Sequence, residues 1–282
     1  MLRCFNDCFA VLFLWLAIFS LQRRSWRTGA LLYTWGLGIK MSLLLVLPAI
    51  GIVLFLGGGF ALSLQLAVVM ALVQVLIAVP FLAHNSTGYL SKAFEFSRQF
   101  FFKWTVNWRF VGEEKFLSKE FALVLLGLHV LVLLVFITTR WIKPARKAPV
   151  DMVLRVLSGK APLAEQEQRA AARDVTPRYI LTTVLSANVI GLLFARSLHY
   201  QFYSYLAWST PFLLWRSGIH PVLQYALWAA QEWAWNVFPS TPASSGVVVG
   251  VMTVTVALVW WGAREDWEPS SAKRAKTEAA KR

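Results

Sequence analysis

The chain has 282 residues, 57% of them hydrophobic and 15% charged, with a formal net charge of +14. A soluble domain carries roughly 25% charged residues, and the apolar residues here fall in long runs, not helix-period stripes. A soluble globular enzyme is therefore excluded and an all-α polytopic membrane protein is indicated. The basic balance does not point to nucleic acid, because Lys and Arg sit in short loops and at the C-terminus, where they set topology and meet anionic headgroups.

Apolar runs long enough for a bilayer core mark nine spans in chain order. The first covers Cys8 to Leu21 and is closed by Arg23, Arg24 and Arg27; with no small-residue cleavage site, it reads as a retained span, not a leader. A long run from Thr28 to Leu56 is split at Lys40, after Gly36 and Gly38, into a short rising helix and a return helix. The Gly57-Gly58-Gly59 triplet is a turn, and Phe60 to Ala83 is the next span. A polar segment, 84–119, follows. Then come a span from Glu120 to Thr139, a hydrophilic loop over 140–178, and a span from Tyr179 to Ala195. Three further spans run near Tyr203–Trp215, Pro221–Phe238 and Gly246–Trp261. The transmembrane domain is thus 1–263, and the basic tail, 264–282, reads as disordered. Cys4 and Cys8 are the two cysteines, one helical turn apart, and imply neither a metal site nor a disulfide.

Nine spans put the termini on opposite sides. With the tail in the cytosol, 19 of the 28 Lys and Arg are cytosolic, as the positive-inside rule requires. Segments 84–119, 196–203 and 238–245 then share the opposite face. So does the sequon Asn85-Ser86-Thr87, a weak three-residue pattern.

Two of these segments carry the candidate chemistry. In 84–119, Phe and Trp alternate with basic residues, which reads as an amphipathic interfacial helix followed by a loop. Arg98, Lys103 and Arg109 suit phosphate, and Trp104 and Trp108 suit sugar faces. The other is RSLHYQFY, where Arg196, His199, Tyr200 and Gln201 cluster at the edge of an apolar run. It is either an aromatic belt or a site. Lys40 inside an apolar run is a functional candidate or a snorkelling residue. Asp7 and Glu232 lie near spans, with no partner at a spacing that makes an acid/base pair. Nucleotide-loop, zinc-helix and serine-elbow motifs are absent from the sequence.

Five stretches carry a resemblance. They are RCFNDCFAVLFLW (3–15), GLGIKMSLLLVLPAI (36–50), NSTGYLSKAFEFSRQFFFKWTVNWRFV (85–111), SANVIGLLFARSLHYQFYSYLAWSTPFLLW (186–215) and EWAWNVFPSTPASS (232–245). Together the chain resembles the dolichyl-phosphate-mannose-dependent α-1,3-mannosyltransferases of the endoplasmic reticulum. The resemblance implies a multi-pass GT-C type glycosyltransferase of the endoplasmic reticulum membrane, acting in N-glycan precursor assembly. Its donor is dolichyl-phosphate mannose and its acceptor the five-mannose dolichyl-diphosphate oligosaccharide. No cofactor or metal is expected. It implies one inverting displacement, with a carboxylate of the first lumenal loop as base. That loop has no counterpart here, so the expectation is an N-terminally shortened form with the catalytic residue unassigned. Carried over as donor- or acceptor-binding residues are Arg98, Trp104, Asn107, Trp108, Arg109, Arg196, His199, Tyr200 and Gln201, with Arg196 and His199 on the donor phosphate. The rival readings are a non-catalytic remnant and a transporter or lipid scramblase. Against the latter stand the lack of an internal repeat and of paired broken helices.

Overall fold

The computed structural model describes residues 5–93, 95 and 101–269. Among them the regular structure is helical throughout. The chain opens with a hairpin of α1 (Asp7–Gln22) and α2 (Trp26–Ile39), turned at Arg24, whose φ is +60°. Lys40 is extended, breaking the run where the sequence reading divides it. A 3-10 turn (Met41–Val46) leads into α3 (Leu47–Gly58), which Pro48 starts and Gly59, at φ +93°, ends. Then come α4 (Phe60–Ala93), the short α5 (Glu113–Leu117) and α6 (Lys119–Phe136). A π turn (Ile137–Trp141) extends α6 towards α7 (Pro149–Leu157) and α8 (Glu165–Asp174). The last helices are α9 (Pro177–Leu193), α10 (Tyr203–Arg216), α11 (Pro221–Asn236), α12 (Pro242–Gly262) and α13 (Arg264–Trp267).

The bundle is organised around α9. From Tyr179 to Leu193 every residue but Leu181 is buried. A helix that is apolar on all sides must be enclosed. The turn Met41–Val46 and helices α1, α3, α6, α10 and α12 pack around it. Most of its polar groups are bonded sideways: Tyr179 OH donates to Trp141 O at 2.6 Å, Thr182 Oγ1 to Asp266 at 2.7 Å, and Asn188 Nδ2 to Tyr205 O at 3.1 Å and Ser209 Oγ at 3.0 Å, while Ser186 Oγ donates back to Thr183 O at 3.0 Å. The outer helices are the converse. Leu64, Val68, Leu72, Leu76 and Val79 of α4 and Leu123, Leu126, Leu131 and Leu134 of α6 are exposed. Rows of exposed aliphatic side chains on such helices need hydrocarbon around them.

Four segments are long and apolar enough to cross a membrane: Met41–Gly58, Phe60–Ala93, Lys119–Ala145 and Pro242–Gly262. Helices α1 and α9 are apolar but shorter, and α2 and α10 have 14 residues each. Fourteen residues rise about 21 Å against a hydrocarbon core of about 30 Å. The chain nevertheless returns to two common ends. At the basic end Gln22 Nε2 donates to Pro177 O at 2.9 Å, Gln168 Nε2 to Leu56 O at 2.8 Å, and Arg216 Nε to Asp266 Oδ2 at 2.8 Å. Here α12 presses so close to the turn after α10 that a β-carbon on Gly262 would lie 1.8 Å from Ser217 O. The opposite, aromatic end gathers residues 101–111, 195–203 and 237–245.

Two expectations change, and a third falls largely outside the described residues. The tail starts later than 264, because Trp267 is fully buried on α13 and its Nε1 donates to Thr183 Oγ1 at 3.0 Å; residues 270–282 lie outside the described ones. The expected amphipathic helix falls largely on residues 94 and 96–100, outside the described ones; before them α4 continues past Pro80 to Ala93 with a break at Asn85 (φ −154°, ψ 84°), and after them 101–111 holds two short 3-10 turns. Asn85 Oδ1 accepts from Gly88 N at 2.8 Å and so caps the second part of α4. Finally, Lys40 neither snorkels freely nor stands alone. Its Nζ is 2.9 Å from Asp7 Oδ2, and Asp7 is 2% exposed. Asn6 Nδ2 donates to Ile39 O at 3.1 Å beside it, so the pair locks the open ends of the α1–α2 hairpin in register.

Removing one member of a buried pair strands the other charge, at a cost of about 3 kcal/mol or more. Lys40→Met is therefore expected to lower thermal stability in detergent markedly, and Lys40→Met with Asp7→Asn to recover most of it. A neutral single variant would contradict the pairing. At the basic end, Glu167 accepts from Lys147 Nζ at 2.6 Å and from Ala164 N at 2.7 Å. These bonds, led by Lys147, hold its carboxyl below the ordinary glutamate value. Its contribution is thus present above the unfolded pKa and lost as pH falls through the lower folded one. Amide exchange in α8, corrected for intrinsic rates, is expected to quicken across that acid window and not between pH 6 and 8.

Candidate functional site

The aromatic end is held together by one side chain. Asn107 has no exposed surface, and its amide is bonded through both Oδ1 and Nδ2. Oδ1 accepts from Leu198 N at 2.7 Å and Thr105 Oγ1 at 2.9 Å, and Nδ2 donates to Ala195 O at 2.7 Å. Val106 N donates to Leu198 O at 2.8 Å alongside. A loop between 3-10 turns leaves backbone groups unpaired, and a short amide is the group that can serve a donor and an acceptor at once. Residues 105–107 and 195–198 are thereby stitched together.

The third segment joins through hydroxyls. Ser240 Oγ donates to Thr105 O at 2.6 Å, Ser245 Oγ accepts from Arg109 N at 2.7 Å, and Tyr200 OH donates to Val237 O at 2.6 Å. Burial pushes the Tyr200 phenol above its ordinary value, so it remains a donor at neutral pH. Trp108 takes φ +57°, a left-handed conformation unusual for a bulky residue. It is fixed there by Nε1 donating to Ala195 O at 3.2 Å and by edge-on packing with Phe121, ring centroids 5.7 Å apart.

Around this frame lie the groups that can reach a ligand. Trp104 is 45% exposed, with Lys103 Nζ 5.1 Å from its ring centre. His199 Nδ1 is 3.2 Å from Trp104 O. A carbonyl only accepts, so Nδ1 carries the proton and Nε2 is left to accept from a hydroxyl, or to donate to an anion once the ring is charged. Arg196 Nη2 donates to Leu117 O at 2.9 Å and lies 3.4 Å from Phe116 O, while its Nε is buried without a partner in the protein. Arg109 is more committed: Nη1 donates to Phe102 O at 3.0 Å and the guanidinium covers the Phe102 ring at 4.8 Å. The Gln201 side chain is half-buried, and its backbone carbonyl accepts from Ser204 Oγ at 2.8 Å.

The structure thus brings Trp104, Asn107, Trp108, Arg109, Arg196, His199, Tyr200 and Gln201 to one end of the bundle. It divides them by environment: Asn107, Trp108 and Arg109 are engaged by the protein, whereas Trp104, Arg196 and His199 keep surface or bonding capacity. Arg98 lies outside the described residues. Sequence reasoning missed several members. Ser197 Oγ, Tyr203 OH and Trp235 Nε1 are buried there without a protein partner, with the Tyr203 and Trp235 rings 5.6 Å apart. Lys40 Nζ lies 5.8 Å from the Phe202 ring centre, which brings the Asp7–Lys40 pair beside the same segment. Trp235, Ser240 and Ser245 all sit within EWAWNVFPSTPASS, so the stretch was visible although its roles were not. Buried donors that the protein leaves unbonded are costly. Among the described residues no group of three or more His, Cys, Asp or Glu converges as a metal site would require.

Asn107→Ala leaves Leu198 N without its acceptor in a buried place, at about 1–3 kcal/mol for the orphaned group, while Ala195 O keeps only the Trp108 indole. The variant is expected to unfold at lower temperature and to lose protection in 195–203. Unchanged protection there would show that the two loops hold together without it.

Comparison with known proteins gives a consistent picture. A family model described as "ALG3 protein" matches residues 1–245. A Neurospora crassa protein named Dol-P-Man:Man(5)GlcNAc(2)-PP-Dol alpha-1,3-mannosyltransferase is 74% identical over 281 residues, covering 99% of this chain and 64% of the relative. Proteins of the same name from Scheffersomyces stipitis and Arabidopsis thaliana are 37% and 35% identical, each over 92% of this chain and covering 60% and 59% of the relative. The chain therefore spans about three fifths of the length of these curated relatives. No solved structure matches it. The match to most of its length and the aromatic end that the matched stretches build together place the chain in the ALG3 protein family.

Proposed function

We propose that this chain forms the membrane body of an inverting α-1,3-mannosyltransferase of GT-C type, resident in the endoplasmic reticulum membrane. It takes mannose from dolichyl-phosphate mannose and adds it to the dolichyl-diphosphate oligosaccharide with five mannoses. The observation that carries this is the 74% identity, over nearly the whole chain, to a relative named for that reaction. In this reading the helices make nine passes, including the short ones, and the aromatic end faces the lumen. The excess of basic residues at the other end supports that orientation.

At that end, Arg196 and a charged His199 serve as donors to the phosphate that leaves from the donor lipid. Charged donors stabilise a leaving group most as its negative charge develops. Trp104, exposed and beside Lys103, offers a flat face to a sugar. Asn107, Trp108 and Arg109 act by holding the loop in place, and Tyr200 by tying it to 237–245. Arg98 belongs to the same basic segment. Gln201 offers an amide for a sugar hydroxyl. The base that removes the acceptor's proton is not assigned to Asp7, whose carboxylate is bound to Lys40. No cofactor or metal enters the reading.

The test supplies membranes holding the chain, and in parallel the Neurospora crassa relative, with dolichyl-phosphate mannose and the five-mannose acceptor. Formation of a six-mannose product by this chain supports the reading. In whichever protein is active, His199→Ala is expected to reduce transfer about 10- to 100-fold, the loss of one charged hydrogen bond, with thermal stability unchanged because its contact is at the surface. Arg196→Ala is expected to reduce both. Unaltered transfer by both variants would remove them from the donor site.

A further inference from the structure

The basic end carries a feature that the proposed reaction does not use. Helix α7 (Pro149–Leu157) places Val150, Val153, Leu154, Val156 and Leu157 at the surface, with exposures of 42% to 78%. Met152 is its one buried side chain. At 100° per residue these six cover one broad arc, while Asp151 and Arg155 occupy the other. Such a face on a soluble surface would aggregate.

Beneath it runs an apolar groove of about 440 Å³, walled by α7 on one side. On the other stand Phe55 of α3, Phe60 and Ser63 of α4, and Ile137 and Ile142 beyond α6. Ser63 Oγ is satisfied by Phe60 O at 2.8 Å, so the wall offers no unpaired side-chain donor. The groove continues into the exposed aliphatic rows of α4 and α6, the surface that already requires lipid. Its rim is basic. Lys160 is exposed just past α7, and half-buried Arg155 donates through Nε to Ala161 O at 2.9 Å.

We propose that α7 is an in-plane anchor, lying in the headgroup layer of the leaflet at the basic end, and that its groove holds one acyl chain of an anionic phospholipid. Two observations select lipid over a second protein copy. The apolar surface is continuous with the lipid-facing belt, and Arg155 and Lys160 outnumber Asp151 beside it, a net positive sign that attracts anionic headgroups. The inference rests on the membrane character of the fold and is independent of the mannosyl transfer.

The experiment uses the full chain with Cys4→Ser and Cys8→Ser, reconstituted in nanodiscs and spin-labelled at Leu157→Cys, Val153→Cys or Asp151→Cys. In an anchored helix, the ratio of oxygen to aqueous-reagent accessibility is roughly fivefold or more higher at Leu157 and Val153 than at Asp151. Equal ratios at the three sites would overturn the anchor, and spin–spin broadening between chains would mean that a second copy covers the face. For the groove, spin-labelled phosphatidylserine is compared with spin-labelled phosphatidylcholine. The immobilised fraction is expected to favour phosphatidylserine, to fall roughly fivefold in affinity for each of Arg155→Gln and Lys160→Gln, and to drop when Ser63→Trp fills the groove. No preference between the lipids, or retention in a Ser63→Trp protein that still elutes as a single species, would refute the bound chain.

Discussion

A helix with no free face must be enclosed before anything else can be placed, and α9 imposes that requirement on this chain. Its buried residues extend from the π turn at one end to the Asn107 clamp at the other. Each polar side chain along it must find a partner without water, since an orphan inside hydrocarbon is worth several kcal/mol. Thr182, Thr183 and Asn188 find theirs on α13 and α10. These bonds fix which helices neighbour α9 and how far each slides along it. The order of the two ends follows from that, and so does the meeting of 195–198 with 105–107.

The aromatic end shows how a loop-built site stays firm. Its segments are bonded across as many as 136 positions in sequence, the span of the Ser245–Arg109 bond. None has enough secondary structure to hold its own backbone. A few short side chains do so instead: Asn107, Ser240 and Ser245 satisfy backbone groups across loops, and Thr105 does so within its own. Long aromatic and basic side chains are then free to point outwards. The residues most like a ligand site by composition are therefore of two kinds, one that braces and one that presents.

Much of this was legible in the sequence. The run-length pattern and Lys40 as a break marked the paths of the helices, and the Lys and Arg distribution sorted the chain into two ends. Both are local properties. What escaped were pairings between distant positions. Asp7 and Lys40 are 33 residues apart, and nothing in either run announces the other. The resemblance carried Asn107 over as a binding residue, and its bond to a carbonyl 88 positions away is what the sequence could not announce. Trp267 was hidden because a charged, tail-like composition surrounds it, while burial against α9 decided its fate.

The break in α4 carries a last consequence. From Phe60 to Ala93 a straight helix would rise about 51 Å, far beyond a hydrocarbon core of about 30 Å. The bend at Asn85 comes after about 37 Å, where the chain leaves the core. At that point the asparagine caps the following turn through Oδ1 alone, and its Nδ2 is not needed for the cap. Sugar attachment to Nδ2, or conversion of the residue to aspartate, would each leave an oxygen in the capping position. The exit geometry of α4 is thus insulated from whatever chemistry reaches that side chain.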